Sequence, residues 1–151
     1  MSLIDALTKQ LKRDEDTRLR VYDDFDGTPI VTGHTVKGIP TIGTGRNLMD
    51  VGIMDEESNL LLSNDIAHVQ LQLMNNLPWS QNLDEGRLGV LMNMDFNMGL
   101  GRLLQFKQTL ELIKLGNYSE ASVEMLKSVW ATQVGARAHR LAKQMETGQW
   151  M

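Results

Sequence analysis

Residues 13–27 read RDEDTRLRVYDDFDG, and the fold turns on how this stretch is divided. Its first residues close a helical pattern: Leu3, Ile4, Leu7 and Leu11 recur at helical spacing, so a helix is expected from residue 3 to Asp14 or Glu15. RLRVY (18–22) then alternates like a half-buried strand, and DDFDG (23–27) carries turn chemistry around Gly27. A run of charges such as this is first of all a solvated face. Whether any two of its acids act together is decided further along the chain.

Working outward, TPIVTG (28–33) and PTIGTG (40–45) are β-branched runs on either side of HTVKG (34–38), so residues 18–45 read as a small antiparallel sheet of three strands. From Asp55 the period becomes helical. Asp55, Glu56 and Glu57 suit a helix N-terminus, Leu61, Leu62, Ile66, Val69 and Leu73 line one helix, and Pro78 ends it. Asp84 is a cap candidate for DEGRLGVLMNMDFNMG (84–99), which is apolar nearly all round and reads as a buried central helix. Shorter helices are expected over about 107–115, 119–130 and 136–147, with Gly148 as a C-cap. The ten methionines and three tryptophans, at helical spacing, are most simply core.

The resulting fold class is α+β and mainly helical, in one domain over 1–151. A sheet lobe over about 16–54 is joined by a long helix, about 55–76, to a helical lobe over about 77–151, with the N-terminal helix packed on that lobe.

Composition narrows the functions. At 151 residues and 42% hydrophobic, the chain can bury a real core, and it contains no cysteine, so disulfides and thiolate metal sites are excluded. The N-terminal segment has helical spacing rather than the continuous apolar run of a signal peptide or a membrane span, which points to the cytoplasm and to no stable membrane insertion. The net charge of −4 is uneven: residues 1–101 carry −7 and residues 102–151 carry +3, which makes the C-terminal third the natural place for an anionic partner to dock, although such an excess is more often just a solvated face. The acidic balance and the lack of a basic recognition helix argue against nucleic acid. A monomer is the default.

The chemistry available is that of carboxylates. His34, His68 and His139 form no close ligand pair, so no metal is expected, and no cofactor motif is present beyond a weak G-x-G in TIGTGRN (41–47). No G-x-S-x-G nucleophile turn occurs. Glu15 closes a helix and Asp24 opens a turn after one short strand, so the two can face each other across a cleft. Two such carboxyls serve glycoside hydrolysis, one giving a proton to the leaving oxygen and the other activating water.

These residues resemble a known family. Glu15, Asp24 and Gly27 in the pattern E-x8-D-x2-G, followed by TIGTG (41–45), resemble the catalytic segment of bacteriophage lysozymes of glycoside hydrolase family 24, the T-even phage endolysin type. LMNMDFNMG (91–99), Phe106, YSEASVEMLKSVW (118–130) and RAHRLAKQMETGQW (137–150) resemble its later helices, so the likeness covers nearly the whole chain.

The resemblance implies a lysozyme-like fold and an endo-acting muramidase that cleaves the β-1,4 bond between N-acetylmuramic acid and N-acetylglucosamine of bacterial peptidoglycan, with inversion. It implies Glu15 as general acid, Asp24 as the residue that positions or activates water, and Thr41 as a hydroxyl holding that water. It further implies pairs of Glu15 with Arg137 and of Asp14 with Arg140, the second of which also reads as an ordinary surface ion pair. Phe96, Asn97 and Thr109 fall where the family's cleft contacts sugars, although Phe96 is equally suited to core packing. Asn93, inside the buried helix, reads first as a satisfied core polar group.

The chain departs from the family in two places. Between Gly27 and Thr41 it carries about a dozen residues more than the shortest members, an extended hairpin that includes His34 and reads first as a benign surface feature. Arg46 stands where many members have a histidine, and Asp65 is its expected acid partner. Without an export segment, such an enzyme would collect in the host cytoplasm until a holin opened the membrane. A lytic transglycosylase, or a non-catalytic peptidoglycan-binding or virion structural protein with the same fold, are the rival readings.

Overall fold

The protein is described here by a computed structural model covering residues 2–151. Helix α1 (Leu3–Asp14) begins in a capping box, where the Ser2 hydroxyl accepts from the Asp5 amide at 3.1 Å and the Asp5 carboxylate accepts from the Ser2 amide at 3.1 Å. Glu15 is its C-cap, with its amide donating to the Leu11 carbonyl at 2.8 Å. Asp16 follows at φ +60°, the left-handed conformation that a short polar side chain tolerates best, and it turns the chain out of the helix.

Three antiparallel strands follow in the order β1 (Arg18–Asp23), β2 (Pro40–Gly43) and β3 (Arg46–Asn47). The register sets Tyr22 opposite Thr41 and Thr41 opposite Asn47. The sheet is therefore the small antiparallel one expected, but its membership differs. TPIVTG contributes only an isolated bridge between Pro29 and Tyr22, flanked by bonds from the Ile30 amide to the Val21 carbonyl and from the Asp23 amide to the Thr28 carbonyl. The third strand is the short Arg46–Asn47. Pro29 has no N–H to offer a ladder, and the donors of residues 37–39 are spent on carboxylates instead.

Helix α2 (Asp55–Asn76) matches the expected span, with Asp55, Glu56 and Glu57 in its first turn. A 3-10 turn (Pro78–Asn82) leads to α3 (Glu85–Met98), capped by Asp84, whose carboxylate accepts from the Arg87 amide at 3.0 Å. Then come α4 (Leu100–Leu103), α5 (Lys107–Lys114), α6 (Tyr118–Leu126), α7 (Val129–Val134) and α8 (Ala136–Thr147). The single helix expected over 119–130 is broken, because Ser128 caps a new one by accepting from the Ala131 amide. Helix α4, one turn long, carries too little periodicity to be seen in sequence.

The chain divides into two units, Met1–Asn59 and Leu60–Met151, with the boundary inside α2. The core of the second unit is built on Leu73, Val90, Leu91, Met94, Leu103, Ile113, Met125 and Met145, all essentially inaccessible. Trp130 meets Phe106 edge-on at 6.2 Å. Helices α3 and α8 approach closely because Gly86 lacks a Cβ: one there would strike the Gly148 carbonyl. Arg87 locks the same corner. It donates to the Met145 and Glu146 carbonyls at 2.9 Å each and stacks 3.8 Å over the Tyr118 ring. Among the described residues no helix is long and apolar enough to cross a membrane.

Candidate active site

Glu15 owes its place to the end of α1, where helical geometry stops and the side chain leaves the helix surface. Its carboxylate lies beside Gly45, where a Cβ would come within 3.3 Å of Oε2. Asp24 begins the turn after β1. Its amide donates to the Ile39 carbonyl at 3.2 Å, and its Oδ1 accepts from the Ile39 amide at 2.6 Å. The buried Thr41 hydroxyl donates to the same Ile39 carbonyl at 3.1 Å. Ile39 therefore contacts both Asp24 and Thr41, two of the three residues singled out for catalysis: its carbonyl accepts from the Asp24 amide and the Thr41 hydroxyl, and its amide donates to the Asp24 carboxylate.

Asp23 lies deeper still. Its side chain is wholly buried, with Oδ2 accepting from the Lys37 amide at 2.7 Å and Oδ1 from the Gly38 amide at 2.8 Å and the Phe25 amide at 3.1 Å. The His34 ring Nε2 lies 3.2 Å from Oδ2. The Lys37 amide is the main cause of a carboxyl held down at about 2, against the opposing effect of burial, with the Phe25 amide, His34 and the Gly38 amide adding to it. The sequence marks Asp23 as a turn residue, and only the bonds across residues 25–38 reveal it as a hub. Asp26 is the turn residue it was read as, with Oδ1 accepting from the Thr28 amide at 3.0 Å. The extended hairpin, largely exposed, is thus bound through its far limb to the turn that carries Asp23 and Asp24.

Asp14 is paired with Arg13 at 2.7 Å, and Arg46 holds Glu57 through both guanidinium nitrogens. In the second unit, Arg137 is bound to Asn93, whose Oδ1 accepts from Nε at 2.9 Å and from Nη2 at 2.6 Å. Asn93 is a satisfied polar group of α3, as its setting suggested. Phe96, about half exposed, shares with Arg137, Asn93, Met92 and Trp150 the wall of a cavity of about 360 Å³. The Asn97 amide oxygen accepts from the Trp130 indole at 2.8 Å. Thr109 is 3% exposed and lines a smaller pocket of about 240 Å³ with Phe106 and Lys127. Arg140 lines another pocket with Arg137, Gln144 and Trp150, and Asp65 is exposed on α2. The pairs expected of Glu15 with Arg137, Asp14 with Arg140 and Arg46 with Asp65 each join residues of separate units.

One buried acid had no counterpart in the sequence reading. Asp95 on α3 is 3% exposed, and its Oδ2 has no hydrogen-bond partner among the described residues. Burial pushes its carboxyl up, opposed by the charge of His68. Among the described residues no group of three His, Cys, Asp or Glu is placed to hold a metal ion.

The phage lysozyme family model matches residues 12–146. Probable T4-type lysozymes 2 and 1 of Dictyostelium discoideum are each 29% identical over 164 residues, covering 97% of this chain and 96% of the relative. The pre-baseplate central spike protein Gp5 of Enterobacteria phage T4 is 28% identical over 160 residues, 95% of this chain but 28% of that protein. A family match over most of the chain, with relatives aligned over nearly their whole length, leads to one conclusion: the chain belongs to the phage lysozyme family and is a lysozyme-like glycan hydrolase.

Proposed function

We propose that the protein is an endo-acting N-acetylmuramidase that hydrolyses the β-1,4 bond between N-acetylmuramic acid and N-acetylglucosamine of bacterial peptidoglycan, inverting the anomeric carbon. The observation that supports this best is the Ile39 backbone, whose carbonyl accepts from both the Asp24 amide and the Thr41 hydroxyl while its amide donates to the Asp24 carboxylate.

In this reading protonated Glu15 gives its proton to the glycosidic oxygen as the bond to the anomeric carbon breaks. A water held by the Thr41 hydroxyl attacks that carbon from the opposite face and passes its proton to the Asp24 carboxylate. Such chemistry needs the two carboxyls about 6.5–9.5 Å apart, with one water between them. Arg137 would support Glu15, Arg140 would support Asp14, and Asp65 would add to the acids around Arg46. Phe96, Asn97 and Thr109 would contact the glycan. The enzyme would work as a monomer in host cell lysis, released from the cytoplasm by a holin-type membrane lesion.

The test is clearing of permeabilised Gram-negative cells by the purified protein and by its Glu15→Gln and Asp24→Asn forms, with analysis of the products. Clearing, with new reducing ends of inverted configuration, is expected. A 1,6-anhydro product would instead mark a lytic transglycosylase, and no clearing at all would sink the hydrolase assignment.

A further inference from the structure

The hairpin that lengthens the segment between Gly27 and Thr41 presents three consecutive backbone N–H groups, those of Lys37, Gly38 and Ile39, to two consecutive carboxylates. The first two go to Asp23 and the third to Asp24. Runs of adjacent amides pointing one way form a concavity suited to an anion, and here the anions are side chains of the same chain. Gly38 makes the approach possible, since a Cβ at that position would collide with Oδ1 of both Asp23 and Asp24 and with Cβ of Phe25.

Asp23 fixes this strap from inside. It is wholly buried, and its four donors come from residues 25, 34, 37 and 38, so it ties the far limb of the hairpin to the start of the catalytic turn. With residues 37 and 38 secured, the next amide has little freedom, and it meets Asp24 Oδ1 at 2.6 Å. That bond occupies Oδ1 and holds the carboxylate in one orientation.

We propose that Asp23 is a positioning residue for the hydrolytic reaction: it anchors the 37–39 strap, which orients the Asp24 carboxylate and so sets the direction from which water is activated. His34 braces Asp23 from the hairpin. The inference rests on the role given to Asp24 above.

The test combines kinetics on soluble peptidoglycan fragments with hydrogen exchange of individual amides in Asp23→Asn. An amide NH2 facing these N–H groups breaks the cradle while hardly changing volume. Misplacement of a reacting group by about 1 Å can cost about a hundredfold in rate, so kcat should fall at least about tenfold while KM moves less than about threefold. The Ile39 amide should lose its slow exchange, while amides of the helical core keep theirs. His34→Ala, which removes one donor and leaves the backbone cradle, should move both readouts the same way but less, and it decides the matter if Asp23→Asn does not fold. Normal kcat in a folded variant, or a lowered kcat with Ile39 exchange as in the parent, overturns the proposal. If the parent cleaves no peptidoglycan, the muramidase reading fails, and Ile39 exchange alone still decides whether Asp23 holds the strap.

Discussion

Arg46 holds both carboxylate oxygens of Glu57, Nη1 reaching Oε2 at 3.1 Å and Nη2 reaching Oε1 at 2.5 Å, and Nη1 also donates to the Gly52 carbonyl at 3.1 Å. Glu57 in turn accepts from the Met54 amide at 2.8 Å, so the pair joins strand β3 to the first turn of α2. A lysine cannot reproduce the planar fork. Arg46→Lys should therefore cost about 0.5–1 kcal/mol, as expected for a half-exposed pair of good geometry. Glu57→Ala, which also removes the helix cap, should cost about 1–2 kcal/mol. Urea unfolding of both variants checks the order.

For the two carboxyls assigned to catalysis, the isosteric amides are the cleanest probes. Glu15→Gln and Asp24→Asn should each lower kcat by about 10²–10⁴-fold, the usual contribution of general acid–base groups, with little loss of stability. Turnover of soluble glycan fragments, together with thermal unfolding, distinguishes a lost proton donor from a lost fold.

Asp23 makes a prediction about acid stability that is separate from rate. Its folded carboxyl, at about 2, lies below the ordinary 3.8. At pH above the ordinary value the carboxylate is ionised in both states, and the stabilisation from its four donors is fully present. As pH falls through 3.8 the unfolded chain takes up a proton first, and the contribution is lost progressively down to about pH 2. Unfolding free energy measured from pH 6 to pH 2 should fall less steeply in Asp23→Asn than in the parent. Identical slopes would rule out Asp23 as a source of the acid sensitivity.

Asp95 has the opposite sign. Its carboxyl is raised by burial, so below the ordinary range both states are protonated and the part of the penalty that comes from burying the charge is absent. Above 3.8 the unfolded chain ionises freely while the buried group resists, and stability falls as pH rises towards the raised folded value. Asp95→Val should accordingly stabilise the protein at neutral pH by about 1–3 kcal/mol, the cost of a buried unpartnered polar group. The gain should shrink below pH 4. Chemical denaturation at pH 7 and pH 3.5 gives both numbers.

The contact between α3 and α8 depends on a missing side chain. Gly86→Ala places a methyl against the Gly148 carbonyl, a backbone atom that cannot swing away. Overpacking of this kind costs about 1–3 kcal/mol, more than the gain in helix propensity of about 1 kcal/mol returns. A lowered melting temperature is the expected reading.

Much of this was legible in the chain itself. The limits of α1 and α2 follow from the cap at Ser2, the acids at 55–57 and the proline at 78, all of which act within one helical turn. Asp84, Ser128 and Gly148 act equally locally, although Ser128 was passed over inside an otherwise helical run. Glu15, Asp24 and Thr41 became catalytic candidates only through the resemblance of E-x8-D-x2-G and TIGTG to the phage lysozyme segment, since spacing alone does not single out any acid of a charged run. TPIVTG shows where the approach failed. Its β-branched composition favours a strand, but pairing with β1 stops at the single bridge of Pro29 with Tyr22, because the proline has no N–H to donate to a ladder.

The sequence by itself determined where the longer helices begin and end and which of their faces are apolar, because capping and periodicity are short-range properties, while the three catalytic candidates came from its resemblance to a family. Only the tertiary structure decided that Asp23, eleven residues from His34 and up to fifteen from its amide donors, is a buried hub rather than a turn residue. The same holds for Arg46 with Glu57 and for Arg137 with Asn93, forty-four residues apart. The physical reason is that a charged group is settled by whichever donors or acceptors the fold brings within about 3 Å of it, and adjacency of that kind is written in no local pattern.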